Sequence, residues 1–158
     1  MVKANVAEVR AAFLAFTRIF EETKLDQKAT WRVSRLLGQL KQHVKDYERA
    51  MQKLYKDAGG IVDGRGISMD VLLPLQDGEE LSDYEKRRDL YREKANGLSE
   101  ALEALNDNEV EVNYGAIPLS ILPKERKNDK GEKEPIEYRA TDFANAGPFI
   151  VDDSEKKE

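Results

Sequence analysis

The stretch Val33-Ser34-Arg35-Leu36-Leu37-Gly38-Gln39-Leu40-Lys41-Gln42-His43-Val44-Lys45-Asp46-Tyr47 decides the fold class. Val33, Leu37, Leu40, Val44 and Tyr47 alternate at steps of four and three, and Met51 and Leu54 continue the alternation. Such steps return to one side of a helix, so the segment reads as a long amphipathic helix with a single apolar stripe. Leu25-Asp26 supplies a break and an N-cap before it. Gly59-Gly60 supplies its end, because glycine enters the left-handed conformation that terminates helices at little steric cost. The helix is expected over residues 26–58.

The same logic extends outward in both directions. Asn5 with Glu8 forms a capping box ahead of Val6, Val9, Phe13, Phe16 and Phe20, which predicts a helix over 5–24. Ser82 with Glu85 repeats the signal ahead of Tyr84, Tyr91, Ala95, Leu98, Leu102 and Leu105, which predicts a helix over 82–107. Three stripes are hidden only by packing on one another. The expected fold is therefore mainly α, an antiparallel helical hairpin or three-helix bundle over residues 1–108. Seven-residue spacing serves seams between copies equally well, so a coiled-coil homodimer stays open.

Residues 59–81 lose the periodicity and read as an irregular connector with a small hairpin, punctuated by Asp63-Gly64 and Asp77-Gly78. Beyond Asn108, alternation in Val110, Val112 and Tyr114 reads as a strand opening a small β or irregular appendage over 109–151. Within it, Lys124 to Glu134 is a charged run expected to be a mobile loop, with Ile136 to Tyr138 pairing back across it. Thr141 is placed to cap a one-turn helix closed by Gly147-Pro148, and residues 152–158 to form a disordered tail.

Of the 158 residues, 36% are charged and 40% hydrophobic, a surface-rich composition that suits narrow apolar stripes. With no cysteine, a disulfide framework, a thiolate metal site and a cysteine nucleophile are excluded together. No apolar run approaches the ~18 residues of a membrane span, so no membrane partner is expected and the protein is placed in the cytoplasm.

The glycines of Ala58-Gly59-Gly60-Ile61-Val62-Asp63-Gly64-Arg65-Gly66 raise the question of a phosphate cradle. Gly59 and Gly64 bracket four residues as in a P-loop, but Arg65-Gly66 follows where Lys and a hydroxyl are needed, and a helix precedes where a strand is needed. Met69 stands where a dinucleotide fingerprint has its third glycine. The segment reads as a helix terminator and turn.

His43 is the only histidine, which rules out a multi-histidine metal site and leaves one residue for any histidine-dependent catalysis. Asp77, Glu79, Glu80 and Asp83 lie in an expected solvated turn, where a magnesium site is conceivable but a dipole-favoured acidic helix start reads better. Trp31 reads as a packing residue. No catalytic, cofactor or metal residues are assigned, and the chain is not expected to be an enzyme.

Charge is the remaining signal. From Lys24 to Lys56 nine Lys or Arg face three acids, +6, so the rest of a chain totalling −5 carries −11. Lys41, Lys45, Arg49 and Lys53 advance in steps of four, drifting about 40° each, and form a basic ribbon able to follow a phosphate backbone or an acidic protein. It could equally pack beside the acidic face of the third helix, including Glu100, Glu103 and Asp107. Conversely, residues 95–113 hold Glu100, Glu103, Asp107, Glu109 and Glu111 without a cation, a spacing that could imitate phosphates.

The two heptad helices from Asn5 to Lys56, the capped helix from Ser82 and the tail ending Thr141-Asp142-Phe143-Ala144-Asn145-Ala146-Gly147-Pro148-Phe149-Ile150 resemble, in layout, small bacteriophage or prophage proteins of unassigned function. The resemblance implies a viral accessory protein in a bacterial host cytoplasm. The expected function is non-enzymatic binding of a host or phage protein, with inhibition of a host protein as one outcome. Nucleic-acid binding through the ribbon and self-association as an assembly or scaffolding protein are the alternatives.

Overall fold

The structure, a computed structural model, describes residues 1–63, 66–69, 72, 74–127 and 130–153. Over these residues it is mainly helical, with small strand pairs, and it divides into two compact units. The first comprises residues 1–45 and 108–158, the second residues 46–107. This division differs from the one expected at residue 108, because the C-terminal segment does not stand apart but completes the core of the first unit.

In the first unit, β1 (Val2–Asn5) runs into α1 (Val6–Glu22) through the expected capping box. The Asn5 side chain accepts from the Glu8 amide at 2.8 Å, and the Glu8 carboxylate accepts from the Asn5 amide at 2.8 Å. After four residues α2 (Gln27–Asp57) starts, with Asp26 as the cap whose Oδ1 accepts from the Ala29 amide at 2.7 Å. The side chains of Val9, Ala12, Phe16 and Ile19 on α1 and Val33, Leu36 and Leu40 on α2 share one core. The apolar stripes of α1 and of the first half of α2 are thus covered within the chain, as a helical hairpin requires.

The C-terminal segment closes this core. Strand β4 (Glu109–Val112) pairs antiparallel with β1, Val2 opposite Val112, so the first residues are strand as well as helix lead-in. Strand β5 (Ile117–Pro118) pairs parallel with β8 (Ile150–Val151). Val112, Ile117, Leu122, Ala146 and Phe149 join the buried cluster.

The charged run expected as a loop is instead a hairpin of β6 (Glu125–Lys127) and β7 (Lys133–Pro135), and the Ile136 amide extends the pairing by donating to the Lys124 carbonyl at 2.8 Å. Residues 128 and 129 lie outside the described residues. The short helix α4 (Ala140–Ala146) follows Arg139, not a Thr141 cap, and ends at Gly147 with φ +47°. Asp153, expected in a disordered tail, accepts hydrogen bonds from the Ser120 amide and hydroxyl at 3.0 and 2.5 Å; residues 154–158 lie outside the described residues.

The second unit contains the rest of α2, a hairpin of β2 (Ile61–Asp63) and β3 (Gly66–Ser68), and α3 (Leu81–Asp107). The expected cap at Ser82 lies inside the first turn of α3, whose Tyr84 amide reaches back to the Glu80 carbonyl at 3.1 Å. Among its described residues only Tyr47 and Leu98 are buried, at 6% and 7% exposure, so this unit has a thin core. Among the described residues no helix is long and apolar enough to cross a membrane.

Candidate binding face on the second helix

The glycine stretch acts as a helix end. The Gly59 amide donates to the Lys56 carbonyl at 3.0 Å and the Gly60 amide to the Tyr55 carbonyl at 2.7 Å, the paired bonds of a Schellman motif, with Gly59 at φ +82°. Gly60 is crowded by backbone: a Cβ there would stand 2.7 Å from the Ser68 carbonyl oxygen and 2.9 Å from that of Tyr55. The Gly59 and Gly60 amides are thus committed to closing the helix. Gly64 and Arg65 lie outside the described residues.

In the acidic turn Asp77, Glu80 and Asp83 are exposed, as expected from sequence, while Glu79 is half-buried and paired. Glu79 accepts from Arg87 through both carboxylate oxygens, at 3.1 and 2.8 Å, and from the Gln76 amide at 3.1 Å. The Arg87 guanidinium holds the Glu79 carboxyl below the usual carboxylate range, with the Gln76 amide adding to the effect and partial burial opposing it. Among the described residues no three His, Asp or Glu side chains gather as metal ligands.

A cleft of about 380 Å³ lies beside the end of α1, lined by Arg18, Glu22, Tyr138, Arg139 and Asp142 among others. Two ion pairs lie among its lining residues: Arg18 donates to the buried Asp142 at 2.7 Å, and Arg139 meets Glu22 at 3.1 Å. The Tyr138 hydroxyl donates to the Pro123 carbonyl at 2.8 Å, and burial, reinforced by Asp26, pushes its pKa up to about 12.

The outer face of α2 is different. Lys41, Lys45, Arg49 and Lys53 are all exposed, as the ribbon requires. The division between the units falls after Lys45, and Arg49 pairs with Asp46 at 3.5 Å. The unbalanced charge therefore lies further toward the N-terminus than expected. Residues 27–45 hold five cations, Lys28, Arg32, Arg35, Lys41 and Lys45, and no acid. None of the five takes part in an ion pair with any described residue.

Sequence reasoning missed Trp31. It is 57% exposed rather than packed, with the Arg35 guanidinium carbon 5.0 Å from its ring centre. The indole forms part of an open depression with Asp26, Gln27, Lys28 and Arg32. A signal for this was present. Trp31 precedes Val33 by two residues, about 200° around the axis, which sets it opposite the apolar stripe and in line with Arg35 and Lys45. An exposed aromatic among cations can desolvate a partner's apolar or π surface while the cations meet its anions. His43 is half-buried on the flank of this face.

No protein-family model matches the chain, and neither does any curated protein or solved structure.

Proposed function

We propose that the protein is a non-enzymatic binding protein that docks an acidic protein surface on the exposed face of α2. The observation that carries this reading is Trp31, exposed beside Arg35 in a helical segment with five cations and no acid. Tryptophan and arginine together dominate binding energy at protein interfaces, and unpaired cations steer an acidic partner toward them. In the phage-type setting that the layout resembles, the partner is a host or phage protein in a bacterial cytoplasm.

The same indole favours a second reading, single-stranded nucleic acid with a base stacked on Trp31 and phosphates along Lys41, Lys45, Arg49 and Lys53. A tagged pull-down from bacterial lysate, with and without nuclease, separates the two. A stoichiometric acidic protein that survives nuclease and is lost from the Trp31→Ala, Arg35→Glu double variant is the expected result. Loss of all bound material on nuclease treatment transfers the function to the second reading, and recovery unchanged by the double variant removes the α2 face from both.

A further inference from the structure

We infer that the basic face of α2 docks on the acidic outer face of α3 in a second copy of the chain. This rests on the reading of α2 as a face for acidic partners and names its occupant. Residues 27–45 carry five cations and no acid, and residues 95–107, the C-terminal half of α3, carry three acids, Glu100, Glu103 and Asp107, and no cation. None of Glu93, Glu100, Glu103 and Asp107 takes part in an ion pair with any described residue. All four are exposed, as are the five cations apart from Arg32, which is half-buried.

The spacing along the two helices also agrees. Counting from Trp31 on α2, Arg35, Lys41 and Lys45 stand 4, 10 and 14 residues on; counting from Leu90 on α3, Glu93, Glu100 and Glu103 stand 3, 10 and 13 residues on. At the helical rise of about 1.5 Å per residue the two ladders match within about 1.5 Å when the helices lie parallel, and each set falls within about 140° of its helix surface. In that register Trp31, 57% exposed, meets Leu90, 53% exposed, so an apolar contact sits at one end of three opposite-charge pairs. Of the cations near the acidic face, Lys94 has its Nζ 3.9 Å from where a Cβ at Gly59 would stand. Exchanged in both directions the contact closes an isologous pair, and made in one direction only it is heterologous and grows head to tail.

Sedimentation equilibrium of the full chain at about 50 mM and about 500 mM salt tests this, because such contacts between exposed charges are screened as the Debye length shrinks. The wild type is expected to self-associate at low salt and to weaken by at least about tenfold at high salt. Lys41→Glu, Lys45→Glu and Glu100→Lys, Glu103→Lys double variants, with helicity checked by circular dichroism, are each expected to be monomeric alone. Mixed, they are expected to associate again, since acid then faces base in both exchanged contacts. A wild type that stays monomeric at every concentration overturns the inference, as do charge variants that self-associate like the wild type or a mixture that stays monomeric. If the wild type is monomeric but the pull-down still yields an acidic protein lost on Lys41→Glu, Lys45→Glu substitution, the second copy is excluded and the binding reading of α2 stands.

Discussion

Phe16 and Trp31 are both large aromatic residues on amphipathic helices, and the structure gives them opposite roles. Phe16 is fully buried, in contact with the side chains that join α1, α2 and the C-terminal segment. Its truncation to alanine removes buried apolar area and leaves a cavity, which should cost about 3–5 kcal/mol in urea denaturation. Trp31→Ala touches no core and should change stability by less than about 0.5 kcal/mol. A loss of Phe16-like size at Trp31 would show that the indole packs inside. Tyr138 makes a prediction about pH. Its pKa is raised to about 12 in the folded chain, first by burial and then by Asp26. The unfolded phenol ionises near 10, so between about 10 and 12 the folded state holds a proton that the unfolded state has lost. The stability contributed by the neutral phenol is complete below that window and falls as pH rises through it. Denaturation midpoints measured across that range should decline less steeply in Tyr138→Phe, which has no proton to lose.

At the level of elements, the end of α2 and the middle of α3 respond oppositely to the same substitution. A methyl group at Gly60 collides with two backbone oxygens, so Gly60→Ala should cost about 1–3 kcal/mol. Gly97 has nothing within 4 Å of an added Cβ, so Gly97→Ala should stabilise α3 by about 0.5–1 kcal/mol. Equal effects in thermal melts would contradict the Schellman closure at Gly59-Gly60. The helices themselves were legible because local chemistry specifies them: Asn5 and Glu8 cap α1, Asp26 caps α2, and the glycine pair ends it. The small hairpin within 59–81 and the strand at Val110 and Val112 were legible from turn dipeptides and alternation, but the partner of that strand was not. Val2–Asn5 is four residues long and pairs with Glu109–Val112, far along the chain, and nothing local marks such a partner. The charged hairpin over 125–135 was hidden for a different reason, since its strands show no apolar alternation and both are made mostly of charged residues. For the binding face, the charge was legible in Lys41 and Lys45, while Trp31 was missed because burial was assigned from residue type rather than from its angle to Val33.

For the whole molecule, the contrast between the units is in burial. The first holds almost all the fully buried side chains, and the second holds Tyr47 and Leu98. Native-state hydrogen exchange should therefore show amides of α3 opening at lower free energy than those of α1, since local stability follows buried apolar contact. Equal protection in α1 and α3 would mean that the chain unfolds as one cooperative body. The first unit is also interrupted in sequence, its two parts separated by residues 46–107. During synthesis α1 and the start of α2 leave the ribosome long before Ile117, Ala146 and Phe149 exist to cover them. At typical elongation rates that interval is on the order of ten seconds. For that time the stripe of Val9, Phe16 and Ile19 lacks part of its cover, which makes the nascent chain a natural client for a chaperone that holds apolar helices until translation ends.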